Sequence, residues 1–312
     1  MRSASFLSLV LLSPTLWLPA IVAADDAVAE FVAGSLLPAY VLELPDSVTD
    51  ILLADVGSAT LYRFGRSGEA IVEKDQRYMS IGQNGAGKKR AWDRKTPLGV
   101  YFITESLDTS KMHDKYGVAA YPLDYPNARD RQLQRTGSGI WLHGVDRNNP
   151  ERPPLDTDGC LALRNEEILL LADVLQPLRT PVIVAREVAW STRGELEHTR
   201  LSFRLALDGW RSSLAAGDLQ AYLALYADDF RYRDMDKSAW SAYRLRVFEA
   251  RALGGVNIDD LMLLADPEEE NLYLSRFTQV LLTDDGPVTT VKRLYWRQRA
   301  GNRWEIVAED AG

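Results

Sequence analysis

The amino-acid sequence predicts an α+β protein of two domains, a mostly-β domain followed by a smaller α+β domain. Between residues 48 and 187, short apolar or alternating runs are separated by turns that contain Gly and Pro, which is typical of β-structure. From residue 199 to residue 312, helical periodicity is followed by four long strand-like runs. A chain of 312 residues is long enough for two separate hydrophobic cores.

The N-terminal residues have the pattern of a secretory signal peptide, which we assign to residues 1–24. Arg2 supplies a positive charge, residues 6–18 are largely apolar, and residues 22–24 are small enough for cleavage. The apolar run is short for a membrane-spanning helix, which needs about 20 residues; an uncleaved anchor is the alternative. The pattern therefore predicts export to the periplasm.

The first domain is expected to be a mostly antiparallel β-fold with little helix. Residues 25–47 precede it as an N-terminal segment, with a helix and then a strand expected over residues 31–44. One helix is predicted over residues 166–178, with Asn165 as its N-cap. Strands are expected at residues 51–55, 60–64, 70–72, 77–81, 99–103, 140–143 and 181–185.

The second domain is expected to place three helices before a meander of strands. Residues 188–198 are polar and are predicted to be the linker. Asp218 is the expected cap of the second helix. Helices are predicted over residues 201–216, 219–226 and 238–253, and strands over residues 257–264, 271–282, 288–298 and 303–307.

Composition excludes some classes of function. The formal net charge is −8 and the isoelectric point is about 5.1, so the chain is a poor candidate for binding nucleic acid or for an electrostatic membrane anchor.

Gly82 to Lys88 fits the start of a phosphate-binding loop, but Lys89 stands where a Ser or Thr is required and no helix is predicted to follow. We interpret this segment as a connection between strands.

Cys160 is the candidate nucleophile. It is the only cysteine, so the exported chain forms no internal disulfide. His143 ends a predicted buried strand, and its imidazole is a suitable acceptor for the thiol proton. Gly159 permits a tight turn in which the amides of Gly159 and Cys160 would face an oxyanion. The alternative is an inert buried cysteine beside an unrelated histidine. Zinc binding by His143, Cys160 and Asp158 is disfavoured, because paired ligand spacings are missing, and we predict no metal.

The segment from His143 to Cys160 resembles the signature of L,D-transpeptidase catalytic domains, which have the YkuD fold. His143-Gly144 is followed by Thr157-x-Gly159-Cys160, with the cysteine 17 positions after the histidine. Residues 51–62, 80–101 and 120–126 resemble further blocks of the family, so that the resemblance covers residues 48–186. It implies that Cys160 is the nucleophile, that His143 is the base, and that the carbonyl of Gly144 orients the imidazole.

Two departures from the family pattern narrow the expected subgroup. Many members have His at the position of Asp158 and Arg at the position of Ala162, which favours members that trim stem peptides or release linked proteins. Arg164 is a candidate to supply the missing charge. The expected substrate-binding residues are Tyr121, Tyr125, Trp141, Asp158 and Arg164.

The second domain resembles NTF2-like (SnoaL-like) domains, which have a cone-shaped α+β fold. The resemblance rests on Trp210, residues 217–226, Phe230, Trp296 and Trp304. It implies a homodimer interface or a site for a small ligand, and the alternative is that these aromatic residues only form the core. A YkuD-like domain followed by an NTF2-like domain resembles cell-shape L,D-carboxypeptidases.

The resemblance implies that the substrate is a peptidoglycan stem peptide and that no cofactor is required. Cys160 would attack the carbonyl at the L-centre of diaminopimelate. D-Ala would then leave, and a thioester on Cys160 would remain. An amine acceptor then gives transpeptidation, whereas water gives L,D-carboxypeptidase activity or release of a wall-linked protein. The alternative from another class is a non-catalytic cell-wall-binding protein.

Overall fold

The computed structural model describes residues 36–68, 70–250 and 254–312. The predicted signal peptide and residues 25–35 of the predicted N-terminal segment lie outside these ranges. Within these ranges, no helix is both long and apolar enough to cross a membrane.

The first half of the chain is built from short strands and two short helices. A five-stranded sheet has the order β5-β4-β3-β12-β7, and beside it lie a three-stranded sheet β11-β9-β8 and the pair β6-β10. The elements are β1 Leu37–Pro38, β2 Val41–Glu43, β3 Asp50–Asp55, β4 Thr60–Ser67, β5 Ala70–Tyr78, β6 Ile81–Gly82, β7 Gly99–Phe102, β8 Ala120–Pro122, α1 Ala128–Gln132, β9 Trp141–Gly144, β10 Leu155–Thr157, β11 Leu161–Leu163, α2 Asn165–Leu171 and β12 Pro181–Ala185.

The strand pairs of this half are mostly antiparallel, as expected, but three pairs are parallel. β12 runs parallel to β3, β11 parallel to β9, and β10 parallel to β6. Apolar periodicity shows which residues face a core but carries no information on strand direction. The strand predicted over residues 77–81 is divided in the structure, because β5 ends at Tyr78 and β6 begins at Ile81.

The second half packs helices against one face of a long sheet, which confirms the α+β class. The sheet has seven strands in the order β15-β14-β19-β18-β17-β16-β2. Its core contains the buried rings of Trp210, Phe277 and Trp296. The elements are β13 Trp190–Ser191, α3 Arg193–Ala215, α4 Leu219–Ala224, β14 Tyr226–Tyr232, β15 Met235–Asp236, α5 Lys237–Ala250, β16 Gly255–Ala265, β17 Leu272–Thr283, β18 Gly286–Arg299 and β19 Arg303–Ala311.

The residues predicted to be a linker are instead structured. β13 pairs with β1, and α3 begins at Arg193. Thr192 and Glu195 form a reciprocal capping box at the start of α3, a sequence signal that the polar composition concealed. The helix predicted over residues 219–226 ends at Ala224. The strand β14, which follows it, was not predicted. Asp218 caps that helix as expected, accepting a hydrogen bond from the amide of Ala221 at 2.9 Å.

The N-terminal segment and the two sheets pack together through one shared core. β2 forms an edge of the C-terminal sheet by pairing with β16. Ile51 and Phe102 of the first half belong to the same buried cluster as Met262 and Leu264 of the second half. Charged side chains also cross the interface. Arg293 pairs with Asp124 and Asp310, Arg129 with Glu269, and Arg135 with Glu268.

Candidate active site

Two parallel strands bring the histidine and the cysteine to one face of the three-stranded sheet. His143 on β9 lies opposite Ala162 on β11. Side chains alternate between the faces of a strand, so Trp141 shares the face of His143, whereas Leu142 points to the opposite side. Cys160 immediately precedes β11 and is buried.

The turn before Cys160 requires glycine. Gly159 has a φ of 125°, and a Cβ at this position would lie 2.6 Å from the carbonyl oxygen of Lys95. The hydroxyl of Thr157 donates to the carbonyl of Cys160 at 2.8 Å and accepts from the amide of Gly159 at 3.1 Å. The amide of Gly159 is therefore already used, in contrast to the expectation that it would hold an oxyanion. Only the amide of Cys160 is left to serve as that donor.

His143 is oriented by a backbone carbonyl. Its Nδ1 lies 2.6 Å from the carbonyl oxygen of Gly144, so Nδ1 carries the proton and Nε2 is left to accept one. The side chain of Asn165 supports this strand end. Its Oδ1 accepts from the amide of Val118 at 3.2 Å and lies only 2.2 Å from where a Cβ on Gly144 would be. Asn165 therefore does not cap α2 as expected; Arg164 precedes the helix without a side-chain cap.

Burial keeps both reacting groups neutral in the free protein. Burial lowers the pKa of His143 to about 4, an effect that the carbonyl of Gly144 only partly offsets. Burial also raises the pKa of the Cys160 thiol to about 11, although the backbone amide of Trp141 opposes the rise. The thiol lies 3.5 Å from the carbonyl oxygen of Gly139, to which it donates. The resting pair is thus thiol and imidazole, and proton transfer has to accompany attack.

We expect the rate of Cys160 alkylation to keep rising with pH. Only the thiolate reacts, so with a thiol pKa of about 11 the rate with iodoacetamide should increase about tenfold per pH unit from about pH 7 to about pH 10. Mass spectrometry of the alkylated chain measures the rate directly, since Cys160 is the only cysteine. A rate that levels off below about pH 7 would instead indicate a preformed thiolate–imidazolium pair.

A short helical turn next to the histidine contributes residues that the sequence did not single out. The ring of Tyr116 packs on Trp141 at a centroid distance of 4.5 Å and edge-on against His143 at 5.5 Å. Lys115 places its ammonium 4.9 Å from the centroid of the Tyr116 ring. No motif marks these residues, because the turn reaches the site only through the tertiary fold.

Three of the expected substrate-binding residues lie near Cys160. Trp141 is partly exposed and shares the face of His143. Asp158 is exposed, with its carboxylate 3.6 Å from Nε of Arg94, and its charge raises the thiol pKa. Arg164 is exposed and points its guanidinium toward Glu151, at 3.7 Å.

Tyr121 and Tyr125 lie in the buried core of the first half, and their place in the pocket wall stays a prediction. Tyr121 lies opposite Leu142 on β9, so its ring projects from the face of the sheet away from His143. Tyr125 is buried edge-on against Tyr101 at 5.9 Å, and its hydroxyl donates to the carbonyl of Thr136. Aromatic residues near a motif are often core, and only strand register separates the two roles.

The segment that resembles the start of a phosphate-binding loop does not present its lysine to a ligand. Lys88 is buried and pairs with Asp93 at 2.7 Å, so its ammonium does not face a phosphate. Within the described ranges, no three potential metal ligands cluster.

The second domain contains a cavity of about 530 Å³ between α3, α4, α5 and the sheet. Tyr222 and Trp210 line it, and Arg244 stacks on the Tyr222 ring at 4.8 Å, so these aromatic residues serve both core and cavity.

Each half of the chain matches a known domain family. Residues 49–184 match the L,D-transpeptidase catalytic domain, YkuD, and residues 202–310 match the Cds6 C-terminal NTF2-like domain. The structure of Bd1075 from Bdellovibrio bacteriovorus is similar, with a TM-score of 0.72 and 25% identity over 89% of this chain and 98% of that one.

The helical cell shape determining protein Pgp2 from Campylobacter jejuni is also similar. Its TM-score is 0.72 at 22% identity, over 92% of this chain and 99% of Pgp2. No curated protein sequence matches this chain. The fold is thus shared with both proteins along nearly their whole length.

Proposed function

We infer the function from the premise that residues 49–184 form an L,D-transpeptidase catalytic domain and residues 202–310 an NTF2-like domain, as their motifs predicted. We propose that the protein is a peptidoglycan-modifying enzyme that cleaves the diaminopimelate–D-Ala bond of stem tetrapeptides through a thioester on Cys160. The observation that carries this proposal is that the buried Cys160 directly precedes β11, which pairs with the strand β9 that carries the Gly144-oriented His143.

The first half-reaction uses groups that the site supplies. As the thiol of Cys160 attacks, its proton moves to Nε2 of His143 and a sulfur–carbon bond forms at the L-centre carbonyl. The amide of Cys160 stabilises the resulting oxyanion. Collapse of this intermediate breaks the carbon–nitrogen bond, and the imidazolium returns the proton to the amine of the leaving D-Ala.

The second half-reaction resolves the thioester. His143 removes a proton from the acceptor, which attacks the acyl carbon and releases the thiol. An amine acceptor makes the enzyme a transpeptidase. Water makes it an L,D-carboxypeptidase, or a hydrolase that releases wall-linked protein. The absence of Arg at position 162 favours water, because it departs from the pattern of many cross-linking members.

The predicted signal peptide supports a periplasmic location for this activity, where the substrate is found. The cavity of the NTF2-like domain supports binding of a small ligand there.

Product analysis of purified muropeptides tests the function. Incubation with the full-length protein should convert tetrapeptide stems to free D-Ala plus either tripeptides or 3-3 cross-linked dimers, measured by liquid chromatography and mass spectrometry. Tripeptides identify water as the acceptor, and dimers identify an amine. Muropeptides that bind but stay unchanged would contradict the proposal and favour a non-catalytic wall-binding protein.

A further inference from the structure

The active-site face lacks the Arg that many members of the family have two positions after the cysteine. Ala162 lies opposite His143 and carries no charge. Arg164 is directed to Glu151 at the surface. The cations whose charge acts on both Cys160 and His143 come from other segments, namely Lys115 and Arg152.

Of these two cations, Lys115 is the one available to a ligand. Nε of Arg152 already lies 3.4 Å from the carboxylate of Asp156, and its side chain is largely buried. Lys115 is exposed, and within the described residues its ammonium contacts only the Tyr116 ring, at 4.9 Å. That ring packs against Trp141 and His143, so the ammonium lies at the rim of the catalytic face.

The turn that carries Lys115 is fixed to the rest of the site. The carboxylate of Asp114 accepts from Arg147 at 3.2 Å and from Asn148 at 3.1 Å, which joins the turn to the loop after β9. Gly117 ends the turn with a φ of 66° and packs against Asn165, where a Cβ would lie 2.3 Å from Oδ1. These contacts fix the backbone position of Lys115 relative to the catalytic residues.

We propose that Lys115 is a substrate-binding residue whose ammonium holds a carboxylate of the donor stem peptide against the Tyr116–Trp141 side of the site. This inference rests on the proposed function. The two residues that flank the scissile bond of a tetrapeptide stem each present a carboxylate, one on the terminal D-Ala and one at the D-centre of diaminopimelate. Both offer the same chemistry to an ammonium, and pairing with either fixes the reacting carbonyl relative to Cys160.

The test compares Lys115→Met with the wild-type protein on three substrates. These are the free-acid tetrapeptide stem, the same stem with the D-Ala carboxylate amidated, and the stem with the diaminopimelate side-chain carboxylate amidated. We expect Lys115→Met to lower kcat/KM for the free acid about ten- to a hundredfold, the range for a charge-assisted hydrogen bond. It should leave unchanged the slower turnover of whichever amide has lost the carboxylate that Lys115 holds.

The amide whose turnover is insensitive to Lys115 identifies which of the two carboxylates is bound. Lys115→Arg should restore most of the preference for the free acid, because it keeps the charge. Lys111→Met, which removes an exposed lysine four positions earlier, is the matched control and should behave as wild type. Thermal unfolding of each variant checks that the fold is retained.

Two results would overturn the inference while leaving the proposed function intact. One is a Lys115→Met enzyme with wild-type kcat/KM on the free acid. The other is an equal loss on all three substrates, which would show that Lys115 holds neither of these two carboxylates. A wild-type enzyme that cleaves none of the substrates would overturn the proposed function and this inference together.

Discussion

Replacing Cys160 with alanine is expected to reduce D-Ala release from stem tetrapeptides by at least about 10⁴-fold. The thiol is the only cysteine sulfur in the chain, so no neighbouring thiol can take over the attack. Because the change removes a single buried atom, the free energy of unfolding should fall by no more than about 1–2 kcal/mol. The release of D-Ala, measured by mass spectrometry, and the thermal midpoint together separate loss of chemistry from loss of fold.

His143→Ala provides the companion measurement for this variant. It keeps the thiol but removes the proton acceptor next to Gly144. A single mutant should therefore already lose most of the rate, and the double mutant should lose little more, because the two residues act as a unit. Independent, additive losses, or D-Ala release by folded Cys160→Ala near the wild-type rate, would contradict the assignment.

Deleting residues 192–312 is expected to leave the catalytic half unable to fold. The five-stranded sheet has apolar residues on both faces. Leu52 and Ala54 of β3 face the catalytic core, whereas Ile51 and Leu53 face the core shared with β16 to β19. Each large apolar side chain contributes about 1.5–3 kcal/mol when it is buried. Exposing several of them removes as much as the entire net stability of a typical domain, which is about 5–15 kcal/mol.

Circular dichroism and thermal unfolding measure the result of this deletion. The truncated chain should aggregate or show no cooperative transition, whereas the matched control, a chain lacking only residues 1–24, should unfold in one sharp transition. In the truncated chain Asp124 would also lose its cation, Arg293, and Arg129 would lose its partner, Glu269. A truncated chain that unfolds cooperatively and releases D-Ala would show that the catalytic half is independent.

The sequence carried more information about chemistry than about the arrangement of the domains. The motif residues His143, Gly144, Gly159 and Cys160 could be found because they are close in sequence and have restricted roles. The run Ile51-Leu52-Leu53-Ala54 also contained a signal that the interpretation did not use. A strand that is apolar without alternation is typical of burial on both faces, which here means a shared core between the domains.

The residues that sequence reasoning missed act across long separations. Tyr116 packs against His143, and the turn that carries it is held by the ion pair between Asp114 and Arg147, 33 positions later. Tyr121 is close to the motif in space, but strand register directs it into the core. The amide of Gly159 looked free from the motif alone, because the hydrogen bond to Thr157 depends on the folded turn.

Detection of the acyl-enzyme tests the central claim most directly. The full-length protein is mixed with a tetrapeptide stem, quenched in acid within the first turnover, and analysed by intact-mass and peptide mass spectrometry. A tripeptidyl adduct on the peptide that contains Cys160, removable by hydroxylamine as a thioester should be, is the predicted result. Release of D-Ala without an adduct on Cys160, or with an adduct on another residue, would contradict the account.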